Sequence, residues 1–243
     1  MQIDLTGNTY VITGASGGIG SELVKTLIDS DTKLMLIDSD KHSLQKLKDK
    51  YKNKNISYLN FSFENESNYT DLLKSLINPI NGFIHLAGLL ESDKGENGKD
   101  IIWERAIQNN LTNAYKLIEA LLPKFSNTEI GRVILISSLA YRRGAFDHIP
   151  YTASKGGITG LVRAYSRKLA PKILVNGLAP GIINTKMPQD LIKERGDDLI
   201  KQIPQKRFGE PEEVASVILF LLSNLSSYIN GQIINVDGGI INS

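Results

Sequence analysis

Seven short apolar runs punctuate the chain, and none of them alternates polar with apolar residues. They are TYVITG near Tyr10, KLMLID ending at Asp38, ISYLNF near Tyr58, GFIHLAG near Ile84, RVILISS near Leu135, ILVNGLAPG near Val175 and QIINVDGG near Ile234. A strand that is apolar on both faces must be covered on both faces. Between the runs lie stretches with apolar residues three and four apart, the spacing of one helix face. Examples are SELVKTLID, SLQKLKDKY, YTDLLKSLI, AYKLIEALLPKF, ITGLVRAYSRKLA and PEEVASVILFLLSN. The last opens on Pro211 followed by Glu212 and Glu213, a strong helix start. Strands alternating with helices require crossover connections, which are right-handed in a parallel sheet. The expected fold is therefore α/β, one doubly wound parallel sheet of about seven strands with helices on both faces. No linker interrupts the rhythm, so residues 1–243 read as a single domain. Residues 186–210 depart from it, being strand-free and rich in charge, with Pro188 and Pro204. After the sixth strand, at the carboxyl edge of the sheet, such an insertion is positioned as a lid. A solvated surface excursion is the plainer alternative.

Several function classes drop out early. The formal net charge is +2 with basic residues scattered, which gives nucleic acid no footprint. The chain has 0 cysteines, excluding disulfides and thiolate metal sites, and no His, Asp and Glu cluster has metal-ligand spacing, so no metal is expected. The longest apolar run, VILFLL from Val217 to Leu222, is too short to span a bilayer. The amino-terminal run lacks the basic start and long apolar core of a signal peptide. The expected setting is the cytoplasm, and the expected partner is a small-molecule substrate.

The loop TGASGGIG, Thr13 to Gly20, follows the first strand and opens the first helix. Gly14, Gly18 and Gly20, with the extra Gly17, allow a tight turn and close backbone approach to a pyrophosphate at a helix amino terminus. Asp38 ends the second strand, where a carboxylate can accept both ribose hydroxyls of NAD. It would repel the 2′-phosphate of NADP. Gly17 also stands where a basic residue could have offered a phosphate partner. Both features favour NAD over NADP. A structural role for Asp38, as a cap at the strand end, is the alternative.

With these residues in hand, the chain resembles the short-chain dehydrogenase/reductase family, from about residue 3 to the carboxyl terminus. The markers stand in family order: Thr13 to Gly20, Ala87-Gly88 after the fourth strand, Asn110, Ser138, Tyr151 with Lys155, Asn176, Pro180-Gly181 with Thr185, and VDGG from Val236 to Gly239. The resemblance implies a Rossmann-type sheet. It implies cofactor contacts at Gly14, Ser16, Gly17, Gly18, Ile19, Gly20, Asp38, Ala87, Gly88, Tyr151, Lys155, Pro180, Gly181, Ile183 and Thr185. It also implies a homotetramer packed through the helices around Asn110 and Tyr151, with the carboxyl-terminal segment at a second interface. Three departures stand out. Leu86 replaces an asparagine before Ala87-Gly88, the acidic residue after the third strand is absent with Asn60 or Ser62 in its place, and Leu174 replaces an arginine.

Tyr151 and Lys155 are four residues apart and share one helix face. A free tyrosine titrates near pH 10, so about 0.1% is phenolate at pH 7. Lowering that by roughly three pH units asks for about 4 kcal/mol. The Lys155 ammonium and a nicotinamide cation have the sign to supply it. The resemblance implies the roles: Tyr151 exchanges a proton with the substrate oxygen, Lys155 lowers its pKa and holds the nicotinamide ribose, Ser138 hydrogen-bonds the substrate, and Asn110 anchors a proton-relaying water. Gly156 and Gly157 then read as small residues beside a cofactor and a symmetry mate, and Ser137 as the structural neighbour of Ser138. His42 reads as surface, and His85 and His148 as structural residues near the cleft. Arg142, Arg143, Lys186, Lys193 and Arg195 face either an anionic substrate group or solvent. The leading expectation is an NAD-dependent oxidoreductase interconverting a secondary alcohol and a ketone. An NADP-dependent 3-oxoacyl reductase and a catalytically silent NAD-binding sensor or scaffold are the alternatives.

Overall fold

The computed structural model describes residues 3–52, 55–62, 69, 72, 74, 76, 79–94 and 99–241. All seven anticipated strands form: β1 (Thr9–Thr13), β2 (Lys33–Asp38), β3 (Ile56–Asn60), β4 (Gly82–His85), β5 (Gly131–Ile136), β6 (Ile173–Pro180) and β7 (Ile233–Val236). They make one wholly parallel sheet in the order β3-β2-β1-β4-β5-β6-β7. The chain winds outward from β1 in one direction, then returns to β4 and winds in the other. The crevice between β1 and β4, at the carboxyl edge, is where such sheets bind ligands. Register fixes its walls, because Thr13 pairs with both Ile37 and His85, and Asp38 ends level with Asn60.

Helices cover both faces, as the unbroken apolar runs require. On one side α1 (Gly18–Asp29) and the late helix Pro211–Leu222 pack over Ile12, Leu36, Ile134 and Leu178. On the other, Ala114, Leu117, Ile118, Ile158 and Val162 cover Val11, Ile37, Val133 and Val175. The remaining helices among the described residues are α2 (Lys41–Lys50), α3 (Lys99–Ile107), α4 (Asn113–Leu121), α5 (Ala140–Arg143), α6 (Ile149–Leu169) and α7 (Gln189–Gln202); α8 is Pro211–Leu222. α8 starts as its sequence promised. Pro211 sits in the first turn, and Glu210 and Glu213 form a reciprocal capping box with the backbone. The stretch YTDLLKSLI lies largely outside the described residues.

Residues 186–210 do not form an irregular loop. They hold α7, broken at Arg195 by a non-helical backbone (φ −138, ψ 19), and return to the sheet edge where Ile183 bridges Gly209. Only Leu199 of this helix is fully buried, so its inner face lies over the carboxyl edge and its outer face is wet.

Candidate active site

A cleft of about 630 Å³ opens at the carboxyl edge of the sheet. Of the residues the sequence nominated, Ile19, Gly88, Ser138, Tyr151, Lys155, Pro180, Gly181, Ile183 and Thr185 line it. Gly14, Ser16, Gly17, Gly18, Gly20, Asp38, Ala87 and Asn110 stand beside it and shape its walls rather than line it. Met187, Leu191, Arg195 and Leu199 close it from the side of α7.

The glycine loop forms the first wall. Gly14 adopts φ +66, and a Cβ there would lie 2.7 Å from the Ala87 amide nitrogen. Only glycine lets β1 and β4 end this close together. A Cβ on Gly18 would overlap the Thr185 methyl, so the loop and the Pro180–Thr185 turn are pressed into contact. α1 starts at Gly18 with no side-chain cap and no carboxylate in its first turn. Its amide donors and dipole are thus open to an anion such as a pyrophosphate. At the end of β2, the Asp38 carboxylate accepts from the Ser16 amide at 2.9 Å and from the Asp40 amide at 3.0 Å. Asp38 is therefore a brace of the glycine loop as well as a candidate ribose acceptor; these two amides leave acceptor capacity on its oxygens. Asn60, one of two candidates for the missing acid, donates to the carbonyls of Asp38 and Ser39 at 2.9 and 3.0 Å. It clamps the same strand end from the far side. These residues fit a nicotinamide dinucleotide.

The second wall carries Ser138, Tyr151 and Lys155. Ser138, just beyond β5, lines the cleft beside Tyr151 and accepts from the Ala140 amide at 3.2 Å. Lys155 is only 6% exposed. Its Nζ donates to the Ile136 carbonyl at 3.0 Å and lies 5.6 Å from the centre of the Tyr151 ring. Ser137 donates to the Lys155 carbonyl at 2.8 Å, fixing α6 against β5 in the structural role expected of it. Gly88 is the meeting point, since a Cβ there would lie 2.9 Å from Asn110 Oδ1 and 3.3 Å from Lys155 Nζ.

The titration of this pair departs from the sequence reading. Burial pushes the Tyr151 phenol up, against a downward pull from the Ser138 hydrogen bond, and the same burial pushes Lys155 down to about 8. The expected lowering of Tyr151 by Lys155 does not appear in the chain alone. Desolvation acts on both groups and favours both neutral forms. A downward shift of the phenol needs added positive charge, such as an oxidised nicotinamide would bring.

Asn110 is fully buried, in a π-helical turn (Gln108–Thr112) between α3 and α4. Its Oδ1 accepts from the Leu89 amide at 2.8 Å, and its Nδ2 donates to the Leu89 carbonyl at 3.1 Å and to Ser154 Oγ at 3.0 Å. The side chain welds the strand-four loop to α6. Sequence reading missed Ser154 and Leu89, since their role exists only through Asn110. Gly157 is explained here too, because a Cβ on it would lie 2.5 Å from the Leu111 side chain of that turn. Gly156 meets nothing within 4 Å in its own chain.

His42 is exposed. His85 is buried, with Nδ1 2.8 Å from Thr13 Oγ1, and burial followed by the Lys155 charge pushes it down to about 3. It stays neutral and ties β4 to β1. Thr13 Oγ1 also accepts from the Ala87 amide at 3.4 Å, bracing the strand end beside Leu86, where the family pattern has an asparagine. His148 precedes α6 and lines the cleft; burial lowers it, against Asp147 and Asp93, which raise it. Arg143 and Arg195 line the cleft, whereas Arg142 turns to Tyr141 and Lys193 pairs with Asp190 at 3.9 Å on the outer surface. Among the described residues no group of His, Asp and Glu could hold a metal, and no helix is long and apolar enough to cross a membrane.

Comparison with known proteins places this geometry. A family model described as enoyl-(acyl carrier protein) reductase matches residues 14–241. The chain is 34% identical to the 3-oxoacyl-[acyl-carrier-protein] reductase FabG of Rickettsia typhi, over 98% of this chain and 99% of that one. It is 30% identical to the FabG of Aquifex aeolicus, over 99% and 100%. The crystal structure of a short-chain dehydrogenase/reductase of the glucose/ribitol dehydrogenase type from Brucella melitensis superposes with a TM-score of 0.92 at 34% identity, covering 100% of both chains. A putative NAD(P)-dependent gluconate 5-dehydrogenase from Beutenbergia cavernae, solved with bound NADP at low occupancy, gives 0.90 at 25% identity, covering 99% of each.

Proposed function

This chain belongs to the short-chain dehydrogenase/reductase family and is an oxidoreductase that uses a nicotinamide cofactor; on that premise we propose that it interconverts a secondary alcohol and a ketone, with NAD as its preferred cofactor and Tyr151 as the acid/base. The observation that carries the reading is the convergence of Ser138, Tyr151 and Lys155 on one wall of the cleft, with Lys155 Nζ 5.6 Å from the centre of the Tyr151 ring.

The cofactor, when bound, supplies or accepts a hydride at the substrate carbon. The rest is done by the chain. Gly14, Ser16, Gly17, Gly18, Ile19 and Gly20 hold the pyrophosphate at the amino end of α1, Asp38 the adenosine ribose, and Ala87, Gly88, Pro180, Gly181, Ile183 and Thr185 the nicotinamide half. Ser138 fixes the substrate oxygen, and Tyr151 gives it a proton in reduction or takes one in oxidation. A phenol kept neutral by burial is a ready donor. In the oxidising direction the Lys155 ammonium would stabilise the phenolate, and the cation of a bound oxidised nicotinamide would add to it. Asn110 holds the loop and α6 together around Lys155, and the remaining lone pair of its Oδ1 can seat a water that relays protons. A silent scaffold has no use for four cooperating groups packed to this degree.

NAD rests on Asp38, whose carboxylate is held against the glycine loop by the Ser16 amide and would meet a 2′-phosphate with like charge. The second reading, an NADP-linked 3-oxoacyl reductase, is favoured by the names of the curated relatives and by the NADP in the Beutenbergia neighbour. Titrating NADH and NADPH against turnover of a neutral methyl ketone separates them. Saturation by NADH at a concentration about tenfold or more below NADPH is expected, with Asp38→Ser narrowing the gap. Preferential saturation by NADPH would overturn the reading of Asp38.

The proposal includes a lid, α7, and a homotetramer. Exposed Ile101, Trp103 and Tyr115 lie on α3 and α4, and Gly156 and Gly160 open onto unfilled space, as a helix-to-helix interface would require. It also includes a cytoplasmic setting, where the nicotinamide pool resides.

A further inference from the structure

Away from Tyr151 and Ser138 the cleft changes character. Its outer part is lined by Leu90, Ala145, Phe146, Ile149, Met187 and Leu191. Phe146, Ile149 and Met187 are among the large apolar residues left exposed, so the mouth as well as the interior is apolar. Two cations line the same cleft, Arg143 at the end of α5 and Arg195 at the break in α7.

The two differ in what they already hold. Arg143 Nη2 donates to Gln202 Oε1, which ties α5 to the end of α7. The Arg195 guanidinium lies over the Phe146 ring, 5.9 Å from its centre, and among the described residues it meets no carboxylate. The acid nearest in the cleft lining, Asp147, is engaged by Lys94 at 3.5 Å, and Lys94 also holds Glu194 at 3.4 Å. One lysine on the β4 loop thus holds both carboxylates away from the Arg195 guanidinium, although the three groups together keep one negative charge. An exposed guanidinium stacked on an aromatic ring keeps its donor edge free for a planar anion. The non-helical backbone at Arg195 breaks α7 where the side chain turns over the mouth. Sugars and polyols, which need many convergent polar partners, find few here.

We propose that Arg195 is a specificity residue, and that the substrate is an apolar ketone or secondary alcohol with an anionic group, a carboxylate or phosphate, at the end remote from the reacting carbon. The oxygen to be reduced sits at Ser138 and Tyr151, the aliphatic body lies on Leu90, Met187 and Leu191, and the anion reaches Arg195 beside Phe146. This assignment rests on the oxidoreductase reading above and names the substrate class for the same cleft.

The test is a chain-length series of methyl ketones ending in a carboxylate, each paired with its neutral methyl ester, assayed for kcat/KM with the preferred cofactor. At the best length the acid should exceed its ester by about fivefold, the scale of one partly exposed ion pair, chiefly through KM. Raising salt should shrink the ratio. In Arg195→Gln the ratio should fall to about one, and in Lys193→Gln, on the outer face of the same helix, it should persist. Esters turned over as well as acids by the unmodified protein, or a ratio untouched by Arg195→Gln, would overturn the assignment of Arg195. Failure of acids and esters alike to turn over would instead count against the oxidoreductase reading on which it stands.

Discussion

Lys155 is expected to cost the fold stability in return for chemistry, and replacing it by methionine should expose that cost. Burial lowers its pKa from 10.5 to about 8. At 1.36 kcal/mol per pH unit, the folded chain disfavours the ammonium by about 3 kcal/mol. Methionine fills the same space without charge, but leaves the Ile136 carbonyl without its 3.0 Å donor, an offset of about 1 kcal/mol. The net gain is about 2 kcal/mol, or a rise in Tm of roughly 4–8 °C for a chain of this size. Its pH dependence identifies its origin. Below the folded pKa of about 8 both states carry the ammonium and the penalty is whole; it declines as pH rises and vanishes above 10.5, where both states are neutral. Lys155→Met should therefore melt higher than the unmodified chain at pH 7, with the difference falling to a few tenths of a kcal/mol near pH 9.5, while turnover is lost. Thermal unfolding of both proteins by circular dichroism across this range is the assay. A variant that melts lower at pH 7, or a gain that does not change with pH, would refute the electrostatic account of Lys155.

Other perturbations follow from the same geometry. Gly14→Ala places a side chain at φ +66 with its Cβ 2.7 Å from the Ala87 nitrogen, and should lower stability by roughly 2–5 kcal/mol in denaturant unfolding. Asn110→Ala removes three hydrogen bonds of a buried side chain, to both backbone groups of Leu89 and to Ser154, and should cost about 2–5 kcal/mol in the same measurement together with most of kcat.

Much of this molecule could be read before it was seen, and what could not be read has a common cause. The seven strands were legible because burial on both faces leaves apolar runs without alternation, and the start of α8 because proline and paired glutamates act locally. That Ser138, Tyr151 and Lys155 would share one cleft was legible because two of them are four residues apart on one helix face and the third lies just past a strand end. The π-helical turn at Asn110 was not, because its cause is a side chain pulled toward Leu89 and Ser154, partners remote in sequence. α7 was read only as a strand-free insertion because its amphipathic pattern is interrupted at Arg195. The upward shift of Tyr151 in the chain alone could not be read, because the sequence reveals a neighbouring lysine but not the depth of burial. Asp38 could be placed at the strand end, but not its grip on the Ser16 amide, which depends on how the glycine loop folds back.

The account rests on one phenol as the carrier of the substrate proton. Tyr151→Phe keeps the ring and its packing and deletes the hydroxyl that meets Ser138. Measured side by side with the unmodified enzyme, it should bind NADH with unchanged affinity by fluorescence titration and lose turnover of any ketone substrate by a factor of about 10²–10⁴. Full turnover by the variant, with NADH binding intact, would contradict it.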